Sequence, residues 1–160
     1  MYRIIIALTV VLISFKTSAV CSNDNNRAFD FWLGEWQVTT AIDSLVRHNN
    51  ISKINDGCTI LEQYSTPNGF KGTSLTMYDK QNDEWHQTWT DNAGYLLKLK
   101  GKFIGESMVM FGFSQDKEQR ILNKISWTPN KDGTVRQHWQ ISSDNGKTWS
   151  TTFDGIYSKK

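Results

Sequence analysis

The chain has 160 residues, room for one domain with a proper core and too few for two catalytic lobes. Apolar residues make up 38% and charged ones 21%, with 7 Trp, 8 Phe and 5 Tyr, which points to a packed body rather than a disordered tail. The formal charge of +2 is spread without any lysine or arginine cluster that would track a phosphate backbone, so nucleic acid is not an expected partner.

Residues 1–19 read as a signal peptide. Arg3 makes a small positive start, Ile4 to Ile13 is apolar apart from Thr9, and Thr17, Ser18 and Ala19 offer small residues for cleavage. The apolar run is about half of the roughly 20 residues needed to cross a bilayer, which favours cleavage over a membrane anchor. Cys21 raises lipidation as an alternative, but Val20 stands where a small residue is required. The expectation is export to a periplasmic or extracellular space, a single domain over residues 20–160, and no transmembrane span after processing. Cleavage takes Arg3 and Lys16 and no acid, leaving sixteen bases against sixteen acids. In an oxidising compartment Cys21 and Cys58 are expected to pair, the alternative being two separate thiols with one buried.

A short helical turn over Asn26 to Leu33 is expected to lead into the first strand. Trp36, Val38, Thr40 and Ile42 repeat with period two, Asn49-Asn50 reads as a break that leaves His48 in a loop, and Ile51 to Ile54 follows. Ile60, Glu62 and Tyr64 share a face of the next strand, which Pro67-Asn68-Gly69 closes. Further strands are read over Lys71 to Tyr78, Glu84 to Thr90, Tyr95 to Leu99, Phe103 to Phe113, Gln119 to Thr128, Thr134 to Ile141 and Thr148 to Tyr157, with polar or glycine-containing connections between several of them. About ten short strands with mostly short, sequential connections predict an all-β fold, an antiparallel up-and-down β-barrel that hides its edges by closure, rather than a sandwich. Such a barrel is monomeric by default, and its interior is either filled by aromatics or left as a pocket.

The opening NRAFDFWLGEWQV, with Asn26, Phe29, Gly34, Trp36 and Val38, resembles the start of lipocalins, where a Gly-x-Trp follows an upstream Phe. It is closer to a family of uncharacterised exported bacterial proteins with an FDFWxGxW phrase. That family also resembles this chain at Tyr78, Asp79, Trp85, Gln87 and Trp89, and at Val135, Arg136, Gln137, Trp139, Ser142, Asp144, Gly146, Thr148 and Trp149. The resemblance implies a calycin-like barrel, the architecture of lipocalins, fatty-acid-binding proteins and haem-binding nitrobindins, without supplying an activity. In nitrobindin-like relatives a histidine on a late strand holds iron; Thr148 to Tyr157 contains none, so no cofactor is expected.

Candidate roles follow from strand parity. Gly34 lets the chain turn beside a neighbour, and Trp36 supplies an apolar plate for the barrel floor; the resemblance to lipocalins, where an arginine often covers the matching Trp, implies that role for Arg120 or Arg136 by stacking. Trp85, Gln87 and Trp89 share one face, as do Val135, Gln137, Trp139 and Ile141. If these faces look inward, Gln87 and Gln137 are amides among tryptophans that need a wet cavity, a ligand, or each other. Glu62 is the best inward carboxylate, either ion-paired with Arg136 or Arg120 or titrating abnormally beside Tyr64. His86 and His138 then face outward. The histidines fit no zinc spacing, no metal is expected, and no nucleophile motif is present. Of catalytic schemes only a single carboxylate, Glu62, helped by Tyr64 or His138, is conceivable. Ser142 to Trp149 resembles an Asp-box; Asp144 is expected to cap that turn over Trp149, with sugar binding as the lesser reading.

Three classes remain. The leading one is an exported binding protein holding a small, mainly apolar ligand in a Trp-lined cavity, with Glu62, Tyr64, Trp85, Gln87, Trp89, Gln137 and Trp139 as binding residues. The second is a barrel enzyme using Glu62 as general acid or base. The third is a structural or interaction protein that needs no cavity.

Overall fold

The structure is a computed structural model and describes residues 21–160; the expected signal peptide, residues 1–19, lies outside the described residues. A short helix α1 (Asp24–Arg27), capped by the Asn23 side chain on the Asn26 amide, and a 3-10 turn (Asp30–Trp32) precede the first strand. Ten strands follow: β1 (Gly34–Thr40), β2 (Asp43–Ile54), β3 (Thr59–Ser65), β4 (Lys71–Asp79), β5 (Glu84–Asp91), β6 (Leu96–Ile104), β7 (Ser107–Asp116), β8 (Gln119–Pro129), β9 (Val135–Ser142) and β10 (Ser150–Lys159). Each pairs antiparallel with the next, and β10 returns to β1 to close an up-and-down barrel, in keeping with a calycin-like architecture. No helix among the described residues is long and apolar enough to cross a membrane.

Several strand boundaries differ from the sequence reading, two of them by enough to move a turn. Asn49-Asn50 is no turn: β2 runs unbroken through it, the hairpin bend falls at Ala41-Ile42, and His48 is an exposed strand residue. Asn49 looks like a chain breaker until its side chain is seen inside the barrel, on the same face as buried Arg47 and Ile51. Likewise β6 continues through Gly101 to Ile104, and the turn lies at Gly105, whose φ of 61° suits glycine. At Gly101 a Cβ would run into the Val109 backbone, so strands β6 and β7 approach more closely there than any other residue allows.

One end of the barrel is plugged by the chain's own N-terminal segment. Phe29 stacks on Trp32 at 5.0 Å and meets the Trp85 and Trp127 rings edge-on at 5.7 and 5.4 Å. Both Phe29 and Trp32 are fully buried, and the Trp36 indole donates to the Trp32 carbonyl at 2.8 Å. Two ties hold the plug to the rim: the Cys21–Cys58 disulfide and a 2.6 Å ion pair between Asp30 and Lys53. Trp36 is capped by Lys159, whose ammonium lies 3.7 Å from the ring centre and donates to the Leu33 carbonyl. Arg120 and Arg136 do not take that place. Both occupy outward positions of their strands; Arg120 lies over Phe113, and Arg136 forms a two-pronged pair with Asp154 at 2.7 and 2.8 Å. Lys159 wins because it is the register partner of Trp36 across the β1–β10 seam, which puts both side chains on one face.

Candidate ligand cavity

Above the plug, toward the end formed by the β3–β4, β5–β6 and β9–β10 connections, the barrel keeps a cavity of about 220 Å³. Its wall is largely aromatic. Tyr64, Phe70 and Trp89 form one cluster, with Tyr64 edge-on to both others at 6.2 and 6.1 Å; Tyr95 and Trp139 lie nearly parallel at 6.4 Å; Phe153 and Tyr157 complete the ring set. Both cavity indoles have their N–H engaged by the protein: Trp89 donates to Asp91 at 3.3 Å and Trp139 to buried Asn123 at 2.9 Å. Ring faces and edges are thus presented, and the rotamers are held by polar anchors.

At the base stands a polar patch built around Glu62, which is only 4% exposed. It is ion-paired with neither Arg120 nor Arg136; those guanidinium groups are on the outer surface. Its Oε1 accepts from Asn49 at 2.8 Å, and its Oε2 accepts from the Ser74 hydroxyl at 2.6 Å. Gln87 supports the second contact by donating to Ser74 at 3.3 Å and Thr76 at 3.1 Å. Asn49 also reaches the Tyr157 hydroxyl at 3.3 Å, and that hydroxyl donates to the Gln137 carbonyl oxygen. Seven polar side chains from six strands therefore converge, each fixed by another.

Burial pushes the Glu62 carboxyl up to about 7, against the partial relief of the two hydrogen bonds. Burial likewise raises Tyr64 to about 12, and Tyr157 goes well above its ordinary value through burial and the neighbouring carboxylate, so both phenols stay neutral. The Glu62 shift has a thermodynamic consequence. Unfolded, the group releases its proton near 4.5; folded, it holds it to about 7, so its stabilising share is present below 4.5 and is lost as pH rises through 7. The full cost above that window is about 3 kcal/mol. Urea unfolding of wild type and Glu62→Gln should accordingly show the glutamine variant gaining by about that amount on going from about pH 4 to pH 8. A difference independent of pH would mean that the carboxyl titrates normally.

Of the expected binding residues, Glu62, Tyr64, Gln87, Trp89, Gln137 and Trp139 meet at this cavity. Trp85 does not: it shares their inward parity but lies in the floor, against Phe29 and Tyr78, because the N-terminal plug fills its level of the barrel. His138 is on the outer face, within 3.0 Å of Thr151, away from Glu62's hydrogen-bond set, and His86 pairs with Glu84 at 3.2 Å outside. Asp144 caps the β9–β10 turn through the Lys147 and Thr148 amides and the Thr148 hydroxyl, with the Trp149 indole on the Gly146 carbonyl, a fully internal set of contacts. Among the described residues no three His, Cys, Asp or Glu side chains converge as a metal site.

Sequence reasoning missed Asn49, Ser74, Asn123 and Tyr157. Period-two spacing does carry them: Asn49 alternates with Arg47 and Ile51, Ser74 with Gly72 and Thr76. The obstacle is β4, where the polar Ser74 and Thr76 face the barrel interior and the apolar Leu75 and Met77 face solvent. Comparison with protein-family models and with curated proteins finds no match to this chain.

Proposed function

We propose that this protein is an exported carrier for a small, mainly apolar ligand, seated in the aromatic cavity and oriented by Glu62, Gln87 and Gln137. The observation that carries the reading is an unfilled interior walled by aromatic rings, whose two indole N–H groups are already engaged by the protein, above a polar base that is already organised. Its volume of about 220 Å³ lies below the roughly 300–1,000 Å³ of sites for drug-sized molecules, which favours a compact guest over a long acyl chain. The export part is supported by residues 1–19 and by the Cys21–Cys58 bridge, a bond suited to an oxidising compartment. The FDFWxGxW phrase and the barrel together favour placing the chain with the exported calycin-like proteins it resembles.

Native mass spectrometry of protein purified from its source, without detergent or organic solvent, tests the carrier reading. A retained small molecule that is lost from a Trp89→Ala, Trp139→Ala double variant is the expected result. A spectrum showing only the bare polypeptide would overturn it. One observation favours a second reading, a barrel enzyme: a carboxyl titrating near neutrality beside Tyr64 is suited to proton transfer. In that case Glu62→Gln would keep the retained molecule but stop its conversion.

A further inference from the structure

The charge balance of the cavity is one-sided. Its lining holds two acids, Glu62 and Asp91, and no lysine, arginine or histidine. Asp91 is engaged by its own turn, accepting from the Ala93 and Tyr95 amides at 2.9 and 3.1 Å and from Trp89. The inward arginine on neighbouring β2, Arg47, is clamped by both oxygens of Asp43 at 2.7 and 3.0 Å and by the Leu45 carbonyl. Glu62 is different. A carboxylate offers about four acceptor positions, and only two are taken, both by neutral donors. The Tyr157 hydroxyl beside it has already given its proton to Gln137. A buried carboxylate without a counter-ion is costly, and a cation placed against it recovers that cost. Indole and phenol faces attract such a cation as well, by about 0.5–2 kcal/mol each.

We infer that the cavity takes an organic cation, a protonated amine on a compact apolar body, with its N–H groups on Glu62 and its hydrocarbon part between the Trp89 and Trp139 walls. The inference rests on the carrier reading and specifies its ligand class. It also requires a pH dependence: the amine binds the ionised carboxylate, whose own proton must leave first. Titratable or charged neighbours are Tyr64 on the same strand, Arg47 on β2, Asp91 on β5 and Tyr157 on β10; the two phenols stay protonated throughout the neutral range. Amine affinity should therefore fall as pH drops below about 7, where burial holds the proton on Glu62.

Three probes that share the phenethyl group decide the matter by calorimetry on the wild-type protein: phenethylamine, phenethyl alcohol and hydrocinnamate. At about pH 8 the amine should bind about tenfold more tightly than the alcohol, with the acid weakest, and the preference should shrink toward unity at about pH 6. Glu62→Gln should bring the amine down to the affinity of the alcohol. If the alcohol equals or exceeds the amine in wild type at both pH values, the cation inference is overturned while the carrier reading stands. If none of the three binds, both fall together.

Discussion

Replacing Trp32 by alanine should cost about 3–5 kcal/mol, among the largest single-residue losses expected in the barrel. Trp32 is fully buried, stacked on Phe29 and packed 5.5 Å from Trp127 and 6.4 Å from Tyr157. It belongs to no strand, so its removal leaves the ladder intact but takes out the middle of the floor, and the surrounding strands cannot collapse inward to close the gap. Its indole N–H is buried without a partner, as is that of Trp127. The ring stabilises by area and ring packing, and the nitrogen does not contribute. Trp32→Phe, which keeps a ring and removes the orphan donor, should then cost only about 1 kcal/mol. Urea denaturation followed by far-ultraviolet dichroism measures both, with exposed Phe113→Ala as the surface reference at under about 1 kcal/mol. A Trp32→Ala loss no greater than that of the reference would show that the plug is dispensable.

Removing the disulfide, by Cys21→Ser with Cys58→Ser or by reduction, should cost about 3–4 kcal/mol. The bridge spans 37 residues, and closing a loop of that size restricts the unfolded chain by about 4 kcal/mol in the chain-entropy estimate. Here the loop contains α1, the plug, β1 and β2, so the constraint falls on the part of the chain that must find both the floor and the barrel seam. Phe29 and Trp32 keep their own contacts without it, so the variant is expected to fold, with a lower urea midpoint and a steeper slope, because the uncrosslinked unfolded chain exposes more surface. Equal midpoints for the double variant and wild type would show that the bridge adds nothing. A lower midpoint with an unchanged slope would instead place the effect on the folded state.

The barrel was legible because its connections are short and its turns carry asparagine, aspartate and glycine at regular intervals, while closure itself followed from the need to hide ten strand edges. The inward faces of β5 and β9 are legible for a similar reason: Trp85 and Trp89 flank Gln87 at period two, and Val135 and Trp139 flank Gln137. The base of the cavity was not. A buried asparagine and a surface asparagine look alike in one dimension, so Asn49 reads as the end of a strand although its side chain lies inside the barrel. Ser74 and Thr76 were overlooked because interior positions are expected to be apolar, and β4 places hydroxyls inside where a carboxylate needs donors. Trp85 marks the converse limit. Parity gives the side of the sheet but not the height along the axis, and height decided between floor and ligand wall.

Both cysteines precede β3, whereas the seam between β1 and β10 needs the last residues of the chain. In an oxidising compartment the bridge can therefore form before the last strand has closed the barrel, tethering the stopper beside the opening it will later seal. The slow event left is the long-range zippering of the terminal strand, which must reach back across nearly the whole sequence. An early-formed hook of this kind holds Phe29 and Trp32 near the end of the barrel that they close.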